Sequence, residues 1–279
     1  MSVQMRFAPE AAMKPLAILA ALCFVFPNPS VARQSSAAPP SSSTQAATLL
    51  AQSLAAMVST GTLTDVTLSG TVRRIAGSDD ESGTAVLKAI AAGASSVNLS
   101  LPSGTRSEIL NCSGLSPAGV WSGPDGVSHA IAFHNLVTGP TWFFPAFIIA
   151  QGLSSSGYVA NYVGPETNNG QAVQHVSLSQ PSLLADIPGG HSSAHLTQID
   201  LFLDSNTLLP AAVTFNIHPD NNALVDIPVE IHFSNYQAVN GVQVPFHVQK
   251  YLNNSLILDF QATSVTLNSG LSASAFSAQ

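Results

Sequence analysis

Residues 213–260 read VTFNIHPDNNALVDIPVEIHFSNYQAVNGVQVPFHVQKYLNNSLILDF, and apolar and polar residues alternate in four segments of this stretch. A period of two places the apolar members of a β-strand on one face and the polar members on the other. Asn240-Gly241 lies between two segments and is a strong hairpin signal, because both residues tolerate positive φ. The stretch therefore predicts an antiparallel meander with one apolar and one polar face. The alternating apolar residues are Val213, Phe215, Ile217, Val229, Ile231, Phe233, Val242, Val244, Phe246, Val248, Leu256, Leu258 and Phe260.

The 279-residue chain carries few charges. Hydrophobic residues make up 46% of it and charged residues only 8%, with a formal net charge of −7. Disordered chains are usually poor in apolar residues, so the composition predicts a mostly folded protein. A net negative surface repels phosphate backbones, which argues against a nucleic-acid partner.

The N-terminal 43 residues have the composition of an export signal followed by a leader. Lys14 precedes an apolar run from Leu16 to Phe26, and Ser30-Val31-Ala32 fits a small-x-small cleavage site. The sequence predicts a signal peptide over residues 1–32, a flexible leader over 33–43 and a single domain over 44–279. The apolar run is shorter than the ~20 residues that span a bilayer, so we expect no membrane-spanning segment.

Upstream of the meander, the sequence predicts one amphipathic helix and several more strands. Apolar residues recur at helical spacing from Thr44 to Thr60, and Gly61 can end that helix. The acidic stretch Gly77–Gly83 is predicted to be a solvated turn, because no further ligands lie at useful spacing for a metal. The predicted strands are Val66–Ile75, Gly83–Ile90, Val97–Leu101, Arg106–Cys112, Ser128–Phe133, Tyr158–Val163 and Gln171–Leu178.

The segment Gly139–Leu153, called the lid segment below, is apolar nearly all the way round a helix that Pro140 could open. Such a helix must be covered on every side or must face an apolar space. Two interpretations stay open: an ordinary buried helix, or a lid over an apolar cavity. Its large apolar residues are Trp142, Phe143, Phe144, Phe147, Ile148 and Ile149.

The histidines do not form a recognisable metal motif. His191 and His195 are four residues apart, but they lie in a Gly- and Ser-rich loop where helical geometry is not expected, and no third ligand can be named. His218, His232 and His247 fall on the polar faces of predicted strands, which suits solvated or edge-facing side chains. We therefore expect no metal and no cofactor.

No catalytic residue can be named from the sequence. Cys112 is the only cysteine outside the predicted signal peptide, and a lone cysteine among polar neighbours is typical of a small structural residue. No serine lies in a Gly-x-Ser-x-Gly motif. The expectation is a protein that is not an enzyme.

Several C-terminal motifs resemble those of the Lol-type periplasmic carriers and sorting proteins of outer-membrane lipoproteins. The segment Phe233–Tyr236, followed by Val239–Val242 and Pro245, resembles a recurring pattern of that family. Leu267–Leu271 followed by Phe276 resembles its closing signature. The order of elements from Thr44 to Phe276 is also similar, so the chain resembles a divergent bacterial relative with a LolA/LolB-like fold.

The resemblance implies a mainly β (α+β) fold, an unclosed antiparallel β-barrel or curved sheet in which helices lid an apolar cavity. It implies a monomeric, non-enzymatic periplasmic protein, with secretion as the alternative, that carries acyl chains or the lipid anchors of lipoproteins. The residues expected to contact such a ligand, in the lid and on the apolar strand faces, are Trp142, Phe143, Phe144, Phe147, Ile148, Phe215, Phe233, Phe246 and Phe260.

One feature departs from the family pattern. The carriers place an arginine on an early strand, where it helps regulate opening of the lid, but the corresponding stretch Ala94–Val97 has none. Arg106 lies nearby without matching the motif. Two other functions stay open: an envelope sensory or scaffold domain that binds a protein partner, and a secreted hydrolase.

Overall fold

The computed structural model describes residues 41–59, 61–112, 117–139, 141–155, 157–180 and 194–277. The predicted signal peptide lies outside the described residues. Within them the chain forms two α-helices, α1 (Ser42–Met57) and α2 (Pro145–Ser154), and thirteen strands. In chain order the strands β1 to β13 are Asp65–Ala76, Asp79–Ile90, Ala94–Leu101, Gly104–Asn111, Ala118–Ser122, Ser128–Ala130, Val159–Asn168, Gln171–Ser179, Ile199–Asp204, Pro210–Ile217, Ile227–Val239, Val242–Leu252 and Ser255–Leu267.

The described strands form one antiparallel sheet in the order β6-β5-β4-β3-β2-β1-β13-β12-β11-β10-β9-β8-β7. The chain therefore makes two meanders, β1–β6 and β7–β13, which join where β1 pairs with β13. Strands β6 and β7 occupy the two edges and do not pair with each other among the described residues. The predicted mainly β fold with an unclosed antiparallel sheet is confirmed.

Two-residue turns fix the register of the C-terminal meander. Asn240 and Gly241 have φ of 48° and 82°, and they connect Val239 to its pairing partner Val242. The next turn, Asn253-Asn254, has φ of 48° and 63°. Positive φ at both central residues matches the right-handed twist of the flanking strands. The predicted hairpin at Asn240-Gly241 is confirmed.

The hydrophobic core lies between the two helices and one face of the sheet. Leu50 and Met57 of α1 are fully buried, and they belong to the same apolar cluster as the inward residues of both meanders. Helix α1 packs on β7, β12 and α2. The helices therefore cover the apolar face that the alternation in residues 213–260 predicts.

Helix α2 begins later than the sequence suggests. The expected helix opens at Pro140, which lies outside the described residues, whereas α2 begins at Pro145 and residues 141–143 form a turn. Proline lacks an N–H and its ring collides with the preceding helical turn, so it fits the first position of a helix and not the interior. The second proline of the segment therefore sets the helix start.

Helix α1 and the first hairpin also differ from expectation. Helix α1 begins at Ser42 and is capped by Ser41, whose hydroxyl accepts from the backbone N–H of Thr44. It ends at Met57, before Gly61, because the next residue, Val58, is extended and bridges to a strand. The acidic stretch is not a loop: β2 begins at Asp79, and only Gly77 and Ser78 form the turn.

The C-terminal signature motif anchors the end of the chain to β1. Asp65 is fully buried and accepts hydrogen bonds from the backbone N–H groups of Ser269 (2.8 Å) and Gly270 (3.0 Å), and from the Ser269 hydroxyl (2.6 Å). Burial alone would raise the pKa of Asp65, but these bonds and one from Thr64 outweigh it and hold the pKa below its ordinary value. The carboxylate therefore stays ionised and holds the segment after β13 to the start of β1.

A lysine at Val244 should destabilise the protein far more than a lysine at its neighbour Gln243. Val244 is fully buried in the apolar cluster, whereas Gln243 is half-buried on the opposite strand face. An unpaired charge in the core costs about 3 kcal/mol or more, whereas a surface change costs about 0.5 kcal/mol or less. Urea unfolding of Val244→Lys and Gln243→Lys measures the difference. Equal losses would show that the assignment of the two faces is wrong.

Candidate functional site

A cavity of about 930 Å³ opens at one end of the sheet, next to the β1–β2 and β12–β13 turns. It is called the main cavity below. It lies on the same face as the helices, since Val97, Leu99 and Leu258 in its wall also belong to the core cluster. Its lining residues are Arg74, Ile75, Ala76, Gly77, Val97, Leu99, Arg106, Ser107, Glu108, Trp121, Ser122, Gly123, Pro124, Trp142, Lys250, Leu252, Ser255, Leu256, Ile257 and Leu258.

The inner wall of the main cavity is apolar. Val97, Leu99 and Leu258 are 7%, 7% and 8% exposed, so each is packed from behind and still presents a small surface to the cavity. Two tryptophans also line the cavity: Trp142 is only 3% exposed, whereas Trp121 is 45% exposed. The depth of the cavity is therefore suited to an apolar group.

Basic side chains occupy the same cavity. Arg74 on β1 pairs with Leu258 on β13, and Leu258 pairs with Lys250 on β12, so two cations flank one leucine across three adjacent strands. The ammonium of Lys250 lies 4.5 Å from the centre of the Trp142 ring. Arg106 on β4 points its Nη1 to within 3.5 Å of a carboxylate oxygen of Glu81. Cationic side chains and apolar residues therefore line the same cavity side by side.

The structure places the sequence-predicted ligand residues in three environments. Trp142 lines the main cavity. Phe215 lines two smaller cavities, of about 480 and 260 Å³, the second of which also borders Trp142. Phe246 is half-buried against the core. The others, at most 5% exposed and packed in the core cluster, are Phe143, Phe144, Phe147, Ile148, Phe233 and Phe260.

The charged residues of the main cavity were not identified from the sequence, although the alternation carried a signal for two of them. Arg74 follows the inward-facing Val72 by two residues, and Lys250 follows the inward-facing Val248 by two. Continuing the period of two would have placed both side chains on the apolar face. Arg106 could not be assigned to the cavity in this way, because the sequence of β4 does not indicate which of its residues face the apolar side.

A second cluster joins His195, His218 and Asp226. Both imidazole Nε2 atoms approach the same Asp226 oxygen, at 3.8 Å from His195 and 2.9 Å from His218, and the potential ligand atoms all lie within 4.8 Å of one another. Two imidazoles and a carboxylate are a donor set that zinc accepts. The same distances suit a hydrogen-bonded network without an ion. His191, considered with His195 in the sequence, lies outside the described residues.

His218 is not solvated, contrary to the expectation from its polar position. It lies just beyond the end of β10, is 3% exposed and packs edge-on against the rings of His134 and His195. Burial lowers the pKa of His218, and its bond to Asp226 only partly opposes that shift. A neutral imidazole is therefore the stable form at neutral pH.

Cys112 has the environment of a structural thiol. Its sulfur donates to the backbone carbonyl of Leu136 at 3.1 Å, and burial raises the pKa of the thiol to about 11. A thiol with that pKa is almost entirely protonated at neutral pH and is a poor nucleophile. This agrees with the structural role expected from the sequence.

The chain matches no protein-family model, and no curated protein is significantly similar to it in sequence. No helix in the described parts of the chain is both long and apolar enough to cross a bilayer.

Solved structures share the fold. A domain described as an outer membrane lipoprotein-sorting protein, from Vibrio parahaemolyticus, is 13% identical with a TM-score of 0.52, covering 84% of this chain and 97% of that one. A DUF1329 family protein from Desulfovibrio piger is 11% identical with a TM-score of 0.54, covering 85% and 98%. A LolA superfamily protein from Nitrosomonas europaea is 11% identical with a TM-score of 0.51, covering 84% and 97%. The LolA-like resemblance seen in the sequence is confirmed at the level of the fold.

Acidification should destabilise the protein through His218. Its pKa in the folded state lies below the ordinary value of 6.5, so the unfolded chain binds more protons once the pH falls below about 6.5. The free energy of unfolding should therefore decrease from that pH downwards. Chemical denaturation of His218→Gln across this range should show a weaker pH dependence than the wild type. An unchanged slope in His218→Gln would contradict the assignment.

Proposed function

We propose that this protein is a non-catalytic periplasmic binding protein that carries an acyl chain, as a lipid or as the lipid anchor of a lipoprotein, in the main cavity. The observation that best supports the proposal is the cavity itself. Its volume of about 930 Å³ is within the range of about 300–1,000 Å³ typical of small-molecule sites. Val97, Leu99 and Leu258 give it an apolar wall, and Trp142 also lines it.

Burial of an alkyl chain supplies enough free energy for useful affinity. Each methylene transferred from water contributes ~0.8 kcal/mol, so about ten methylenes contribute roughly 8 kcal/mol. That corresponds to micromolar affinity before the entropic cost of ordering the chain. Reversible loading and release, which a carrier needs, is compatible with an affinity of this order.

Two further observations support a role in the envelope. One solved structure with the same fold is described as a lipoprotein-sorting domain, and another as a member of the LolA superfamily. The predicted signal peptide over residues 1–32 would export the chain to the compartment in which such carriers work. Export and the periplasmic location belong to the proposal, and a binding experiment tests the acyl ligand.

A fluorescence titration tests acyl binding. Only two tryptophans are present, so Trp121→Phe leaves Trp142 as the single reporter in the lining of the cavity. Dodecanol, a neutral probe, should shift its emission saturably, and octanol should bind more weakly than dodecanol because fewer methylenes are buried.

Two substitutions on β13 provide the matched control. Leu256 is half-buried and lines the main cavity, whereas Leu267 is half-buried and lies outside its lining. In the Trp121→Phe background, Leu256→Asn should weaken dodecanol binding about tenfold, and Leu267→Asn should leave it nearly unchanged. Absence of saturable binding for every chain length, or equal losses in both variants, would contradict the proposal. Capture of an envelope protein without any acyl binding would favour the scaffold function instead.

A further inference from the structure

We infer that the ligand of the main cavity is an anionic amphiphile, whose phosphate or carboxylate head is held by Arg74 and Lys250. This inference rests on the acyl-chain function proposed above and adds the chemistry of the head group. The evidence for it is where the positively charged side chains lie in the structure.

Positive charge is concentrated in this one cavity. The whole chain has a formal net charge of −7 and only eight lysines and arginines, of which five lie beyond residue 40: Arg73, Arg74, Lys88, Arg106 and Lys250. Three of those five, Arg74, Arg106 and Lys250, line the main cavity. Cations drawn together in a low-dielectric cleft attract anions much more strongly than the same charges on an open surface.

The neighbouring arginines Arg73 and Arg74 differ in their partners. Arg74 lies opposite Glu81 on β2 and helps to lower the pKa of that carboxyl, but it makes no hydrogen bond or ion pair within 4.0 Å among the described residues. Arg73 points to the opposite face and makes two hydrogen bonds to Asp80, at 2.7 and 2.5 Å. Arg74 faces the cavity, and its Nη1 is fully buried without a hydrogen-bond acceptor among the described residues. A buried charged donor is stable only when it is paired, so this guanidinium is suited to an anion that enters the cavity.

Lys250 is the second cation without an ion-pair partner. Neither it nor Arg74 lies within 4.0 Å of a carboxylate in the described residues. The two flank Leu258 across three adjacent strands, so their backbones are about 10 Å apart. Side chains of this length can both reach a head group placed above Leu258, close to the Trp142 ring that the Lys250 ammonium covers. The attached chain would then extend along the apolar wall formed by Val97 and Leu99.

The nearby carboxylates do not cancel this charge. Glu81 accepts from the hydroxyl and the backbone N–H of Ser103 and lies 3.5 Å from Arg106, so it mainly balances Arg106. The bond from the Ser103 hydroxyl is the main reason that the pKa of Glu81 is below its ordinary value. Glu108 also lines the cavity. With Arg74, Arg106 and Lys250 against Glu81 and Glu108, one positive charge remains, which suits a head with a single negative charge.

Four probes that share a twelve-carbon chain and differ in their head group test the inference on the full protein that carries Trp121→Phe. The probes are dodecyl phosphate, dodecanoate, dodecanol and dodecyltrimethylammonium, each below its micelle-forming concentration. The two anions should bind about tenfold or more tightly than dodecanol, since hydrogen bonds to charged groups are the stronger ones. The cation should bind more weakly than dodecanol. The preference for anions should shrink as salt is added.

Two glutamine variants locate the head site. Arg74→Gln should remove most of the preference for anions while keeping the affinity for dodecanol, and Lys250→Gln should reduce it. Arg73→Gln is the control, because it changes the adjacent arginine on the opposite face, and it should retain the full preference. Retained dodecanol binding shows that a variant is folded; if Arg74→Gln fails to fold, Lys250→Gln and the salt dependence carry the test.

The possible outcomes separate the two proposals. Equal affinity for all heads would overturn the anionic-head inference and leave the acyl-chain function intact. A preference for anions that survives in both Arg74→Gln and Lys250→Gln would also overturn it. Failure of every probe to bind would instead overturn the proposed function. Tighter binding of dodecyl phosphate than of dodecanoate would support a phospholipid as the natural source, and the reverse order would support a fatty acid.

Discussion

The pairing of β1 with β13 is the constraint on which the rest of the structure depends. It joins two meanders from opposite ends of the chain into one sheet, and it sets Arg74 beside Leu258 and, one strand further, Lys250. The register shifts between Ser69 and Gly70, where the two strands approach closely. A Cβ at position 70 would lie 2.0 Å from the carbonyl oxygen of Gln261, so only glycine fits there. Asp65 then fixes the end of the same strand pair through Ser269 and Gly270.

The main cavity follows from how this sheet is covered. Helices α1 and α2 cover part of the apolar face of the sheet, where Phe143, Phe144 and Phe147 are at most 1% exposed. Near the β1–β2 and β12–β13 turns the strands continue past that packed region, and Arg74 and Lys250 lie beside the apolar Leu258 on the same face. Cationic and apolar groups therefore lie next to each other in one cavity, which is what an amphiphile requires.

The sequence predicted the fold better than the site. Alternation and Asn-Gly turns identify the strands of residues 213–260, because both signals are local. The predicted start of α2 at Pro140 was wrong, since α2 begins at the second proline of the segment, Pro145. The alternation of apolar and polar residues predicts that Arg74 and Lys250 face inwards. It does not predict that these two side chains lie close to each other. That proximity depends on the pairing of β1 with β13, which lie nearly two hundred residues apart. The burial of His218 likewise depends on contacts from His134 and His195.

The central claim is that an amphiphile occupies the main cavity, and covalent mapping tests it most directly. A dodecanoate that carries a photoreactive diazirine near the end of its chain can be bound, irradiated and located by peptide mass spectrometry. The label should fall on the inner wall, at Val97, Leu99, Leu258 or Trp142, and an excess of unlabelled dodecanoate should abolish it. Labelling confined to the outer face of the sheet, for example around Arg73 and Asp259, would contradict the claim.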